Sequence, residues 1–191
     1  GAMENNTTGA SNTTVGKDAL KQNTTGGSSV AVGAGALTAA TTGNFNVAVG
    51  HEVLKTLTTG SGNIGIGKSV LDANTADYNV AIGYTAMLAN TTGASNVAVG
   101  NAALDANTTA SDNVAIGYNA LGANTTASNN VAVGQACLEA NTTGANNTGI
   151  GQGALAANTT ASVNTSVGAG AMSANTTGTY NTAVGAYALD G

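Results

Sequence analysis

A glycine preceded by Val or Ile returns at Gly16, Gly33, Gly50, Gly67, Gly83, Gly100, Gly117, Gly134, Gly151, Gly168 and Gly185. The interval is 17 residues throughout, except for a single 16 between Gly67 and Gly83. A unit this short cannot bury an apolar face within itself, so successive units must stack, and the stack is a solenoid or a fibre. Around its glycine the unit reads N-V-A-V-G-x-x-A-L-x-A-N-T-T-G-x-x. The expected fold is therefore all-β, a parallel β-roll or β-solenoid of about eleven 17-residue coils. A single array is expected over residues 4–191, opening with a partial coil at 4–11, and Gly1-Ala2-Met3 reads as a cloning remnant.

Composition fits a thin stack better than a globule. The 191 residues weigh 18.1 kDa and include 30 Thr, 28 Gly and 25 Asn, one Phe and no Trp or Pro, so no large aromatic core is available. Only 7% of residues are charged, which sets the chain apart from charge-rich disordered sequences. The net charge is −5 and all four cations, Lys17, Lys21, Lys55 and Lys68, fall in the first 68 residues. No basic patch exists to neutralise phosphates, so nucleic acid is not an expected partner. No apolar run is long enough to insert this segment in a membrane. Cys137 is the only cysteine and excludes an internal disulfide framework.

Each position of the unit has a physical reading. Val or Ile before the glycine and Leu or Met four after it are the expected core positions. N-V-A-V-G alternates with period two, placing Val97 and Val99 on one face and Ala98 on the other, as a short strand requires. The A-x-x-A-L-x-A-N stretch is too short and too bounded for a helix and reads as a second short strand or a tight turn. Asn90 to Gly93 represents an N-T-T-G corner, with Asn and Gly as the residues that tolerate positive φ. Asn four before the glycine occurs in ten of eleven units, Ser29 being the exception, and its amides are expected to form a ladder along the axis. Charged residues fall one, two, five, eleven or twelve positions after the glycine, allowing for the one short unit, which marks those positions as the solvent face. Phe45, His51, Tyr78, Tyr84, Tyr118, Tyr180 and Tyr187 share these positions and are the candidate surface-contact residues.

Asn96 to Leu104 (N-V-A-V-G-N-A-A-L) and Asn113 to Leu121 (N-V-A-I-G-Y-N-A-L) resemble the YadA-like head repeats of trimeric autotransporter adhesins. The N-T-T-G-punctuated array is also similar to repeat regions of bacterial and phage tail fibres. The resemblance implies a left-handed parallel β-roll, three chains packed with their short strands toward a threefold axis, and an extracellular place on a bacterial cell surface or virion fibre. It further implies attachment to a host-surface glycan or protein rather than chemistry, so neither enzymatic activity nor a cofactor is expected. Trimer formation also has its own argument, because three rolls packed together bury more apolar surface than one. A monomeric solenoid is the alternative assembly, and a passive spacer or fibre shaft is the alternative function.

Several local patterns carry weaker chemistry. Gly62 to Ser69 matches the phosphate-loop pattern G-x-x-x-x-G-K-S, and Gly60 to Gly65 matches G-x-G-x-x-G, but both patterns need a helix to follow, and here the repeat continues. His51 lacks a nucleophile partner in the repeat, which leaves it a surface residue. Cys137 replaces a small residue and is expected to be buried and inert. Asp72, Asp105, Glu139 and Asp190 share one position but recur no more often than every second coil, roughly 10 Å apart, too far for one calcium shell. No metal site is expected. Asn107-Thr108-Thr109 and its repeats are glycosylation acceptors only in a eukaryotic secretory setting. Thr eight after the glycine is invariant from Thr24 to Thr176, which raises ice binding as a third functional reading.

Overall fold

A computed structural model describes residues 1–190. Eleven strands form one parallel sheet in strict chain order: β1 (Thr13–Val15), β2 (Val30–Val32), β3 (Val47–Val49), β4 (Ile64–Lys68), β5 (Val80–Tyr84), β6 (Val97–Val99), β7 (Val114–Ile116), β8 (Val131–Val133), β9 (Thr148–Ile150), β10 (Thr165–Val167) and β11 (Thr182–Val184). Every pairing keeps the repeat in register, as in Val97↔Val114, Ala98↔Ala115 and Val99↔Ile116. At the usual strand spacing of roughly 4.8 Å the sheet is about 50 Å long. The β-solenoid expected from the period is what forms, and no helix occurs among the described residues.

The Val/Ile expectation is corrected. The middle residue of the strand, most often Ala, and not the flanking Val or Ile, faces inward: Ala31, Ala48, Ala81, Ala98, Ala115 and Ala132 are fully buried, as is Ser166. The flanking residues point out, and Ile116 retains 39% of its surface. Period two permits either choice of face, and the thin coil interior decides it. Leu four after the glycine already fills that interior, together with Ala three after it, leaving room opposite for a methyl group only. One consequence is an outward stripe of Val and Ile, continuous over fourteen strand positions from Val30 to Val133.

After the strand the chain turns rather than forming a second strand, and it turns at unexpected residues. The positive-φ positions are the repeat glycine and the residues two, four and twelve after it, not the Asn and Gly of Asn90 to Gly93. Gly134 illustrates why the first is glycine: φ is +139° and an added Cβ would lie 2.5 Å from the carbonyl oxygen of Gly151 in the next coil. More unusual is the Leu/Met position, left-handed in every coil, with φ +53° at Leu104. A non-glycine residue in this region costs about 1–2 kcal/mol. Here the cost is offset by placing two consecutive side chains, Ala103 and Leu104, both in the core, while the Leu104 N–H donates to the Ala120 carbonyl at 3.0 Å. Met3 continues this position one coil earlier, with φ 48°, its N–H bonded to the Ala19 carbonyl and its side chain packed on the core.

Two asparagine ladders run through the interior. The expected one, four before the glycine, passes each Oδ1 to the backbone N–H of the next Asn: Asn63 N–H donates to Asn46, Asn96 to Asn79, and Asn113 to Asn96, at 2.9–3.0 Å. A second, seven after the glycine, is a direct amide stack. Asn90 Nδ2 donates to Asn74 Oδ1, Asn107 to Asn90 and Asn158 to Asn141, at 2.7–2.8 Å. The ladders meet at shared carbonyls, since Ala110 O accepts from both Asn96 and Asn107 at 2.9 and 3.0 Å, which uses both lone pairs. This stack accounts for the Asn of N-T-T-G, where the sequence suggests a corner. It is interrupted by Ala40 and Leu57, and the buried Oδ1 of Asn23 accordingly has no donor. Asn107→Ala removes the donor to Asn90 Oδ1 and one donor to Ala110 O, and is expected to cost about 1–3 kcal/mol in chemical denaturation.

Core volume is balanced between neighbouring coils. Cys137, Val53 and Val70 exceed the usual Ala three after the glycine; in the coil after the first two the facing strand residue shrinks to Gly149 and Gly65, while the coil after Val70 keeps Ala81. A Cβ at Gly149 would lie 2.5 Å from Cys137 Sγ, and one at Gly65 would lie 2.5 Å from a Val53 methyl. Gly149→Ala alone is therefore expected to destabilise by about 1–3 kcal/mol. Cys137→Ala in the same chain should recover most of that loss, so a double-mutant cycle of unfolding free energies reads the coupling directly.

Candidate functional site

The phosphate-loop pattern does not form a phosphate site. Ile64 to Lys68 is strand β4, the turn of Ser69 to Ala73 follows it, and the helix N-terminus that such a loop needs is missing. Cys137 is fully buried, and burial pushes its thiol up to about 12. Practically no thiolate exists at pH 8 in the folded chain, so a thiol reagent is expected to leave native protein unlabelled and to react fully once denaturant unfolds it. Among the described residues no group of three or more His, Cys, Asp or Glu side chains is placed to hold a metal ion. No helix among them is long and apolar enough to cross a membrane.

All seven candidate surface residues are exposed, but on different parts of the coil. Phe45, Tyr78 and Tyr180 share the left-handed position twelve after the glycine, allowing for the short unit, and point their rings outward. Between Phe45 and Tyr78 the same position is Gly62, and the Tyr78 ring lies over it. His51, Tyr84 and Tyr118 sit directly after the glycine in coils two apart, on another side. Tyr187 lies two after the glycine, with its ring over Gly170. The structure thus brings together Phe45 with Tyr78, and His51 with Tyr84 and Tyr118 along one line, but not all seven.

The missing residue near Tyr78 alters the surface locally. One position is absent from the corner between Asn74 and Asn79, and strands β4 and β5 lengthen to five residues, adding the pairs Gly67↔Gly83 and Lys68↔Tyr84. The Lys68 ammonium stands 5.9 Å from the Tyr84 ring centroid, a cation–π contact. The ion pairs lie on the coils before it. The carboxyl of Glu4 is held below its ordinary value by the N-terminal ammonium and by Lys21, and that of Asp18 by Lys21. Lys55 does the same for Glu52 across a 2.9 Å contact, and Glu52 in turn raises Lys55. Asp105 shifts the opposite way, upward, because it is partly buried.

Eight of the ten invariant threonines have their hydroxyls committed. Thr91 Oγ1 donates to the Thr108 carbonyl at 2.8 Å and Thr142 to that of Thr159 at 3.0 Å, each bond joining one coil to the next. The Thr one further on, as at Thr92 and Thr109, is exposed. The largest feature that residue patterns misassign is the Val/Ile stripe. Its signal was present as the alternation of the strand, but alternation does not say which face is inside. Comparison with known protein families, with characterised proteins and with solved structures finds no match for the chain.

Proposed function

We propose that the chain is a non-enzymatic rod segment of a fibre or adhesin, assembled as a trimer and used for attachment to a surface. The observation that carries this reading is the outward Val/Ile stripe. It is uncharged and continuous from Val30 to Val133, whereas the other large apolar residues at the surface stand singly or in short groups. A contiguous exposed apolar strip of this kind marks an interaction face. A second and third copy of the same roll are the occupants that fit it, since each offers an identical straight stripe and a cyclic arrangement lets the stripes converge on one axis. Attachment to a glycan or protein is supported by the exposed rings of Phe45, Tyr78, Tyr84, Tyr118 and Tyr180.

Sedimentation of the wild-type chain is expected to give three times 18.1 kDa at micromolar concentration. Ile116→Glu, in the middle of the stripe, should yield a monomer that keeps its β circular dichroism. A wild-type monomer would overturn the assembly. Changing Tyr84, Tyr118 or Tyr180 to Ala is expected to weaken binding to a glycan array or to cells.

The spacer reading is favoured by the uniformity of the coils, and it predicts unchanged fibre function after whole-coil deletions. Ice binding has less support, because eight of the ten invariant Thr hydroxyls donate to backbone carbonyls. No thermal hysteresis is expected from the purified chain.

A further inference from the structure

Three of the chain's four lysines and its one histidine border a single open cleft on the N-terminal coils. The cleft arises from residue size at three outward positions: one, two and five after the repeat glycine. In the first coil they hold Lys17, Asp18 and Lys21, and in the third they hold His51, Glu52 and Lys55. In the coil between them the same positions hold Ala34, Gly35 and Thr38. Two walls of like chemistry, a cation or imidazole, a carboxylate and an ammonium, therefore face each other across a floor of small residues. Their backbones lie two rungs apart, roughly 9.6 Å.

The groups in the walls are not all spent on each other. Lys21 pairs with Asp18 and Glu4, and Lys55 with Glu52, whereas Lys17 makes no ion pair among the described residues. Glu52 leans over the floor, so that a Cβ on Gly35 would lie 3.3 Å from its Cγ. The Thr38 hydroxyl, on the floor, is held by the Gly35 carbonyl at 2.8 Å. No aromatic or large apolar side chain lines the cleft. The coils that build it are also the irregular ones, with Ser29, Ala40 and Leu57 standing where other coils carry ladder asparagines.

We propose that this cleft binds a sugar ring bearing a carboxylate. The Lys17 ammonium supplies the charge for the carboxylate, assisted by the other basic groups of the walls. Asp18, Glu52 and Gln22 offer acceptors, and Gln22 a donor, for the ring hydroxyls. A neutral sugar leaves Lys17 unmatched, and a bare anion leaves the hydroxyl partners unused. The assignment rests on the surface-attachment reading, for which it names a ligand class.

Nuclear magnetic resonance titration of the full chain tests it, with sodium glucuronate, glucose and sodium acetate as probes. Glucuronate is expected to shift the backbone amides of Gly35, Thr38 and Glu52 in a saturable way, at concentrations at least tenfold below those at which glucose or acetate do so. Lys17→Ala should weaken glucuronate at least tenfold. Ala34→Tyr should do the same by filling the floor, and Tyr is compatible with that position because Tyr84 and Tyr118 occupy it in other coils. Ala169→Tyr, at the same position far along the rod, should leave binding unchanged. Glucuronate binding no tighter than acetate, or unaffected by Lys17→Ala and Ala34→Tyr, overturns the proposal. If those two variants still attach to cells or glycans as the wild type does, the cleft assignment fails while the attachment reading stands.

Discussion

Hydrogen bonding along the axis is the constraint on which everything else depends. A 17-residue coil encloses too little space to satisfy its own polar groups, so they find partners one coil away. The Val97 N–H reaches the Asn113 carbonyl and the Leu104 N–H reaches the Ala120 carbonyl. Thr91 and the two asparagine columns do the same through side chains. Because every link spans one repeat, a residue fixes its position by matching the residue 17 further on, and the sequence must repeat for the structure to exist. Apolar burial is minor by comparison, a single file of Leu or Met flanked by Ala.

This dependence explains which parts of the structure were legible from residues alone. Period, strand placement at N-V-A-V-G, parallel order and the first asparagine ladder follow from pattern, since pattern is what axial stacking needs. The direction of the strand face was not legible. Val97 and Val99 are more apolar than Ala98, and the usual argument from hydrophobicity buries them, but interior volume overrides it. The left-handed Leu was equally hidden, because residue preference argues against it and only the network around Leu104 makes it favourable. Asn107 carried a misleading signal, since an Asn before two Thr and a small residue looks like turn chemistry when read one unit at a time.

The surface follows the same logic with fewer restrictions. Outward positions are free to vary, and the residues that vary there, Phe45, His51, Tyr78, Tyr84, Tyr118, Tyr180 and Tyr187, were found from their positions. What sequence could not supply was their grouping. The Ala34, Gly35 and Thr38 floor becomes a cleft only when the coils on either side are seen to carry long side chains in the same columns. Small residues in one unit are unremarkable until they are aligned with their neighbours in space.

The interruption at Ser29, Ala40 and Leu57 has a mechanical meaning. Elsewhere the coils are tied by backbone bonds and by two amide columns acting in parallel, like a rope with two internal cords. Between Asn23 and Asn74 one cord is cut, and the other is thinned to a hydroxyl at Ser29, whose backbone N–H takes the Asn12 oxygen and whose Oγ takes the Asn46 N–H. A rod pulled along its length yields at its least connected joint. That joint lies within the first few coils, so tension parts the stack there and leaves the long uniform section beyond it intact.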